Sequence, residues 1–389
     1  MCFRSSSATF ICHDERELTT FQGVDAEYVD LSDIVPSKVS KRLDFEFYAM
    51  LSNALRDKIV ACETRVPIIT GYFGAVPGGL IDGEIGRGYT DLCASLVAVG
   101  LKANELQVWK EVDGIFTADP SKVPTARLLA TITPAEAAEL TFYGSEVIHH
   151  LTMDQVIHAN PPIPIRIKNV KNPRGNGTIV IPDARSGKGT FSHSRTPSNL
   201  SLSQARKTPK RPTAVTIKDK IIVINVHSNK RSISHGFFAK VFSILDKQKV
   251  SVDLISTSEV HVSMAVHAAN ITDEELERAK SELEVCGEVS IIRQMAILSL
   301  VGAEMKNMIG ISGKMFSTLG ENNVNIEMIS QGMFSQLFTL EKKSGMRNDN
   351  RADYPIGASE INISCVIDAY EATRAMNILH TNLFTFLDE

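Results

Sequence analysis

A cluster of glycines and two charged side chains precede a predicted helix. The run GEIGRGYTD (83–91) leads into a helix predicted over 89–102. Glycines let the backbone approach a ligand closely, and a helix N-terminus favours an anion. Arg87 can grip a carboxylate or phosphate through two hydrogen bonds, and Asp91 could then hold the amino group of the same substrate. A tight turn without a ligand is the alternative.

A second group of polar residues follows a strand predicted over 105–112. The run VWKEVDGIFTADPSKVPTARLL (108–129) delivers Glu111 and Asp113 at the end of this strand. Ligands of open α/β sheets bind outside the carboxyl ends of the strands, so these residues are candidates for a binding site. The turn that contains Asp119 follows at the same edge. Ordinary turn formation is the alternative, because Asp-Gly and Asp-Pro pairs are common in turns.

Three histidines, His149, His150 and His158, are the candidate metal ligands. Neither cysteines nor carboxylates stand around them at the spacing of a metal cage. We therefore predict no metal site built from protein ligands.

The elements that must position these residues alternate between short β-rich runs and helical stretches. Predicted strands cover 26–31, 66–74, 105–112 and 163–170, and predicted helices cover 45–63, 89–102 and 133–144. The alternation is typical of an α/β unit with a parallel sheet. The last helix opens with Thr133, Pro134 and Glu136, which form a capping box with proline at the first helical position.

Two similar blocks, 214–294 and 295–389, follow a basic, Ser- and Pro-rich linker predicted at 183–213. Both blocks carry strands and helices in a similar order. The runs VSVDLISTS (250–258) and VNIEMISQG (324–332) share one local form. An internal duplication of a ferredoxin-like βαββαβ module explains this pattern.

Length and composition exclude several classes of protein. A chain of 389 residues is too long for one hydrophobic core, since single cores stop growing near about 250–300 residues. The formal net charge of −4 disfavours a general nucleic-acid or anionic-lipid binder. The apolar runs are too short to cross a bilayer, and the N-terminus lacks a signal-peptide core. We expect a cytoplasmic protein, and the six scattered cysteines are expected to be reduced.

Several motifs, in their order along the chain, resemble those of the aspartate kinases, and among these the fungal type. They are VPIITGYFG (66–74), GRGYTDLCASLVAVG (86–100), ELQVWKEVDGIFTADPSKVPTARLL (105–129), NVHSNKRSISHGFF (225–238) and VDLISTSEVHVSMA (252–265). The resemblance implies an α/β protein. A partial amino-acid kinase (carbamate kinase-like) domain over 22–182 would be followed by two ACT modules in the repeated blocks. Residues 1–21 match no motif of the family.

The resemblance also implies an activity. Aspartate kinases transfer the γ-phosphate of ATP, with Mg²⁺, to the side-chain carboxylate of L-aspartate. This is the first step towards threonine, methionine and isoleucine. The ACT modules imply feedback regulation by an amino acid, for which L-threonine is expected. They also imply a homo-oligomer, because ACT modules usually pair edge to edge.

The family positions carry over to this sequence as follows. The expected aspartate-binding residues are Arg87, Gly88, Thr90 and Asp91, and among them Arg87 and Asp91 are expected to be catalytic. The expected nucleotide-binding residues are Lys110, Glu111, Val112, Asp113, Gly114, Phe116, Asp119 and Lys122. The expected effector-binding residues are Asn229, Ser234, His235, Gly236 and Asp253.

The sequence departs from the family pattern in two motifs. A K-F-G-G-T-S phosphate loop and an S-x-G-E segment do not occur. We therefore expect a truncated form with impaired catalysis, because such groups stabilise the transition state. The alternative is a non-catalytic, amino-acid-binding regulatory protein that associates with a complete kinase. Another amino-acid kinase, such as a glutamate or uridylate kinase, is disfavoured by the ACT pair.

An insert over 333–357 interrupts the second ACT module, which the family closes with a short turn at this point. The codons for 332–334 and 352–357 can contain fungal splice signals. We expect a translated intron. A regulatory loop is the alternative, since long insertions do occur at surface turns.

Overall fold

The computed structural model describes most of the chain in two compact units. The described residues are 2–4, 9–12, 25–35, 45–69, 71–72, 88–144, 148, 150–181, 211–228, 236–331 and 361–385. The first unit comprises Met1–Phe116 and Arg127–Asn199, and the second comprises Thr117–Ala126 and Leu200–Glu389. The chain therefore leaves the first unit for a ten-residue segment and then returns to it. The insert 333–357 and all but 211–213 of the predicted linker lie outside the described residues.

The described residues of the first unit form an eight-stranded sheet and four α-helices. The strands are β1 (Cys2–Arg4), β2 (Thr9–Cys12), β3 (Ala26–Val29), β4 (Val66–Ile69), β5 (Glu105–Lys110), β6 (Thr131–Ile132), β7 (Ile165–Asn169) and β8 (Thr178–Val180). The helices are α1 (Phe45–Val60), α2 (Tyr89–Gly100), α3 (Pro134–Tyr143) and α4 (His150–Ile157). The strand order is β3-β4-β2-β1-β5-β7-β8-β6.

This sheet is mixed. Neighbouring predicted strands pair in parallel, as expected, β3 with β4 and β5 with β7, whereas every antiparallel pair involves β1 or β8, which were not predicted. Strand β5 pairs in parallel with β7, but β7 pairs antiparallel with β8. A short connection joins β7 to β8, and only antiparallel neighbours can be joined in this way. The hairpin β1–β2 from the unmatched N-terminal segment lies in the middle of the sheet, where β1 pairs antiparallel with β5. No motif in the sequence predicts this hairpin.

Helix α3 confirms its predicted start. The Thr133 hydroxyl accepts a hydrogen bond from the Glu136 amide at 3.3 Å, and the Glu136 carboxylate accepts one from the Thr133 amide at 3.0 Å. Pro134 occupies the first turn. This reciprocal cap satisfies amides that the helix itself cannot pair.

The described residues of the second unit form one six-stranded sheet and four α-helices. The strands are β9 (Ala214–Ser228), β10 (Leu254–Thr257), β11 (His261–His267), β12 (Gly287–Val301), β13 (Met328–Gln331) and β14 (Asn362–Asp368). The helices are α5 (Phe237–Lys247), α6 (Asp273–Leu283), α7 (Ile311–Glu321) and α8 (Ala372–His380). The strand order is β10-β11-β9-β12-β14-β13, and all neighbours are antiparallel.

Two hydrophobic cores share the two longest strands of this unit. The C-terminal half of β9, with Ile224, packs with α5 and α6. Its N-terminal half, with Val215 and Ile217, packs with α7 and α8. Strand β12 pairs with β9 along both halves and shifts register in between. Residues 214–218 thus contribute to the second core, although the predicted first block includes them. The predicted domain boundaries stay a prediction.

Within the part of the chain that the structure describes, no helix is long and apolar enough to cross a bilayer.

Candidate functional site

Helix α2 begins at a glycine in the left-handed conformation. Gly88 has φ 86° and no side chain caps the helix. The first-turn amides of α2 therefore make no hydrogen bond to a side-chain cap. The positive end of the helix dipole lies at the same place, and it favours an anion. Thr90 is exposed at this turn. Arg87, which was predicted to bind the substrate, lies outside the described residues.

Asp91 and Lys110 meet at this end of the sheet. The carboxylate of Asp91, in the first turn of α2, lies 3.6 Å from Nζ of Lys110, the last residue of β5. The Asp91 side chain is only 14% exposed and that of Lys110 34%. The structure thus brings together a residue predicted for aspartate and one predicted for the nucleotide. An ion pair in partial shelter from water interacts more strongly than one in bulk solvent.

The loop after β5 is fixed by residues that follow β7. Asp113 Oδ1 accepts hydrogen bonds from the Asn169 side-chain amide at 3.1 Å and from that of Asn172 at 3.4 Å. Glu111 is exposed and pairs with the exposed Lys171 at 3.6 Å, and Val112 is also exposed. The carboxyl ends of these two parallel strands therefore form one polar edge, as the strand-end rule predicts.

Gly114 occupies a position that no other residue fits without strain. Its φ is +148°, and a Cβ there would lie 2.3 Å from the Thr178 hydroxyl. That buried hydroxyl accepts from the Ile115 amide at 2.8 Å and donates to the Leu129 carbonyl at 2.6 Å. Thr178 thus ties the loop after β5 to the chain that returns at Leu129.

A cleft of about 200 Å³ opens beside this loop. It is lined by Asp113, Phe116, Leu128, Asn169, Asn172, Gly175, Asn176 and Gly177. Two of these, Asp113 and Phe116, are among the predicted nucleotide-binding residues. The sequence analysis missed Thr178 and the lining residues after β7. The same strand-end rule that selected Asp113 would have selected Asn169, since it ends the neighbouring predicted strand.

Asp119 and Lys122 do not belong to the unit that contains this cleft. They lie in the segment Thr117–Ala126 of the second unit. The Asp119 carboxylate accepts hydrogen bonds from the amide and the hydroxyl of Ser121 at 2.9 and 2.7 Å. Lys122 Nζ lies 3.2 Å from the carboxylate of Asp219 in β9. Both side chains therefore have local partners in the second unit.

The predicted effector residues are only partly described. Gly236 precedes α5 with φ 88°, whereas Asn229, Ser234 and His235 lie outside the described residues. Asp253 is 3% exposed, and its Oδ2 lies 2.9 Å from Lys218 Nζ. This contact is an ion pair and not an aligned hydrogen bond. The carboxylate that was predicted to take an effector's ammonium group thus already faces a cation.

No group of three or more His, Cys, Asp and Glu side chains that could hold a metal ion occurs among the described residues. His158, just after α4, donates from Nδ1 to the carbonyl of Asp154 at 2.8 Å.

Family models match both parts of the chain. A model of the amino acid kinase family matches residues 20–169, and a model of an ACT domain matches residues 298–345. The first match contains Asp91, Lys110 and the loop after β5. The second begins within β12 and includes α7 and β13.

Solved structures of aspartate kinases share the fold. The Clostridium acetobutylicum aspartate kinase superposes with a TM-score of 0.67 at 23% identity, over 92% of this chain and 71% of that one. E. coli aspartokinase III in complex with aspartate and ADP gives a TM-score of 0.65 at 25% identity, over 93% of this chain and 70% of that one.

Fungal relatives are much more similar in sequence. An aspartate kinase of Gibberella moniliformis is 54% identical over 365 residues, which are 93% of this chain. The aspartokinase of Saccharomyces cerevisiae is 51% identical over 383 residues, which are 97% of this chain. In both cases the match spans 66% of the relative's length, just under two thirds. With an amino acid kinase domain, an ACT domain and these relatives, the chain belongs to the aspartate kinase family, and its similarity is to the fungal members.

Proposed function

We propose that the first unit binds MgATP and L-aspartate and serves the transfer of the γ-phosphate to the side-chain carboxylate of L-aspartate. The observation that carries the proposal is the Asp91–Lys110 pair, 3.6 Å apart at the start of α2 and the end of β5. A relative of the same fold, E. coli aspartokinase III, was solved with aspartate and ADP. Amino-acid biosynthesis follows from membership of this family.

Each part of the site has a chemical task. Lys110 supplies a positive charge for phosphate oxygens, and the N-terminus of α2, with the positive end of its helix dipole, favours an anion. Asp91 offers a carboxylate for the ammonium group of an amino-acid substrate. Phosphoryl transfer depends mainly on positioning and charge neutralisation, so a site of this composition is suited to it.

The residues of the site fit a magnesium ion that arrives with the nucleotide. Asp91 already pairs with Lys110, and Asp113 already accepts from two asparagine amides. Mg²⁺ in such sites is held by one or two carboxylates together with the substrate phosphates. When bound, the ion would neutralise charge on the phosphates. Asp113, a predicted nucleotide-binding residue, would support it, while Asp91 faces the ammonium group of the substrate.

Calorimetry on matched lysine variants tests the nucleotide site. We expect Lys110→Met to weaken MgADP binding at least about tenfold, or about 1.4 kcal/mol, because it removes a sheltered charge. Lys171→Met is the control, since this lysine also pairs with an acid but is 71% exposed. Equal effects of the two substitutions, or no binding of MgADP by the unmodified chain at millimolar concentration, would contradict the proposal.

Substrate identity needs a second titration. With MgADP present, L-aspartate should bind and L-glutamate should bind more weakly, and Asp91→Asn should reduce binding of L-aspartate. Turnover is then measured with MgATP and L-aspartate. Binding of both ligands without turnover would favour the non-catalytic alternative.

We further propose that the second unit binds an amino-acid effector, with L-threonine as the first candidate, and that the chain forms homo-oligomers. The ACT match supports a regulatory role, and a related aspartokinase III was solved with lysine and aspartate. Because Lys218 lies 2.9 Å from Asp253, the effector's ammonium group must compete with it. Calorimetry of the whole chain with threonine, lysine and methionine tests this proposal, and absence of heat with all three would count against it. Light scattering reports the oligomeric state.

A further inference from the structure

The segment Thr117–Ala126 is built into the second core of the second unit. Ala118 and Val123 are 4% and 1% exposed and pack in the cluster that contains Met315 and Leu379. The Val215 amide of β9 donates to the Thr117 carbonyl at 2.9 Å. The segment is therefore anchored in this unit by its buried residues, although residues 119–121, 124 and 125 are exposed.

Helix α8 binds the segment at both ends and near its middle. The imidazole of His380 lies with Nε2 2.8 Å from the Thr117 hydroxyl and with Nδ1 3.2 Å from the Thr125 hydroxyl. Asn377 donates its side-chain amide to the Lys122 carbonyl at 2.9 Å. His380 is fully buried, and the Phe384 ring stacks on it with centroids 4.9 Å apart.

These contacts set the register of the segment as well as burying it. An apolar side chain of similar size at position 380 could fill the same volume. It could not bind two hydroxyls that stand eight positions apart in the chain. Buried polar groups are stabilising only when they are satisfied, so the three hydrogen bonds favour one placement of the segment over others.

The two ends of the segment continue into residues that line the cleft of the first unit. Phe116, immediately before it, and Leu128, just after it, form an isolated antiparallel bridge, and both line that cleft. The Leu129 amide donates to the Ile115 carbonyl at 2.8 Å. A shift of the segment along its own direction would pull on this bridge through the backbone.

We propose that His380 and Asn377 are positioning residues for the nucleotide cleft. By fixing the register of Thr117–Ala126, α8 sets the conformation of the loop that carries Phe116 and Leu128. The effect on nucleotide affinity rests on the function proposed above, whereas the effect on the loop does not. Neither side chain needs to touch the nucleotide.

Hydrogen exchange on the nucleotide-free chain tests the positioning directly. In His380→Leu, which keeps the bulk but loses both hydrogen bonds, the amides of Val123 and Leu129 should exchange at least about tenfold faster. His380→Gln, which keeps a donor and an acceptor, should restore part of the protection. Leu283→Ala is the control, because this buried residue of α6 belongs to the other core of the same unit.

Titration with MgADP on the same proteins gives the second readout. The dissociation constant should rise at least about threefold in His380→Leu and change less in Leu283→Ala, even where their thermal stabilities match. Unchanged exchange at Leu129 in His380→Leu, or equal changes in the two variants, would overturn the proposal. If the unmodified chain binds no MgADP, the proposed function fails, and exchange at Leu129 still decides whether α8 positions the loop.

Discussion

At the scale of single residues, Gly114 links local backbone geometry to the proposed site. Its φ of +148° is rare for residues other than glycine, and the Thr178 hydroxyl fills the space where a Cβ would lie. The hydrogen bonds of Thr178 to Ile115 and Leu129 then hold the loop closed. One glycine and one threonine, distant in sequence, thus shape the edge of the cleft.

Replacement of Gly114 tests this arrangement. We expect Gly114→Ala to destabilise the first unit by about 1–3 kcal/mol, because the new methyl group meets the Thr178 hydroxyl in a strained backbone conformation. MgADP binding should weaken as well. Urea unfolding and calorimetry measure the two effects. In a double-mutant cycle, Gly114→Ala should cost less stability in a Thr178→Ala background than in the unmodified chain if the clash is the cause, and an equal cost would contradict that explanation.

Sequence reasoning located one part of the site and not the rest. The strand-end rule selects Asp113, and a glycine-rich turn before a helix selects Asp91, because both signals are local. The contact of Gly114 with Thr178 joins positions 64 residues apart, and no local pattern indicates it. Asp119 was placed by its nearness in the chain to Asp113, yet the chain changes units after Phe116. The ligands assigned to these residues stay predictions.

At the scale of elements, two glycines at the start of α7 differ in backbone conformation. A Cβ built at Gly313 meets nothing within 4 Å, and the residue lies in the first turn of the helix. Gly310, which precedes the helix, has φ +83° and is in the left-handed region. The two glycines therefore differ in what a side chain would do.

Alanine substitutions at these two positions should change stability in opposite directions. Gly313→Ala should raise the free energy of unfolding by about 0.5–1 kcal/mol, since alanine loses less backbone entropy on forming a helix. Gly310→Ala should lower it by about 1–2 kcal/mol, the cost of the left-handed conformation for an L-residue. Thermal unfolding of both variants gives the comparison. A destabilising Gly313→Ala would show that the helix depends on that glycine.

The sequence pattern predicted two repeated blocks, 214–294 and 295–389, but their boundary falls inside one strand. That strand is β12, Gly287–Val301. Gln294, with φ 59°, lies where the register against β9 shifts, so the chain bends without leaving the sheet. This bend marks the change from one core to the other.

At the scale of the whole molecule, buried thiols couple stability to pH. Burial raises the pKa of the Cys365 thiol, in the middle of β14, to about 12. Burial, with a hydrogen bond to Glu27, raises the pKa of Cys62 to about 11. The ordinary value for both is 9.0, so each thiol loses its proton more readily in the unfolded chain.

Stability should therefore fall as the pH rises above about 9. Between pH 9 and 12 the unfolded state releases the Cys365 proton while the folded state retains it, which lowers stability by at most about 1.4 kcal/mol per pH unit for this thiol. Below pH 9 both states keep the proton and the contribution is constant. Urea unfolding from pH 8 to 10.5 under reducing conditions measures the slope. Cys365→Ala should flatten it, and an unchanged slope would refute the assignment.

Length alone predicted more than one domain, and the structure has two units, but they do not follow one another along the chain. Composition and periodicity describe continuous stretches of sequence. They cannot indicate that ten residues between two parts of the first unit complete the core of the second unit. The packing of Ala118 and Val123 beside residues of α8 could be found only in three dimensions.

The place of Thr125 beside His380 also sets an order of events during synthesis. The two residues that share this hydrogen bond are 255 positions apart. At about 5–20 residues per second, a ribosome needs on the order of ten seconds or more to add the partner. Throughout that interval Ala118 and Val123 have been made but their core has not. The nascent chain therefore exposes Ala118 and Val123 until His380 has been translated, and a chaperone that binds exposed apolar residues would have that interval in which to act.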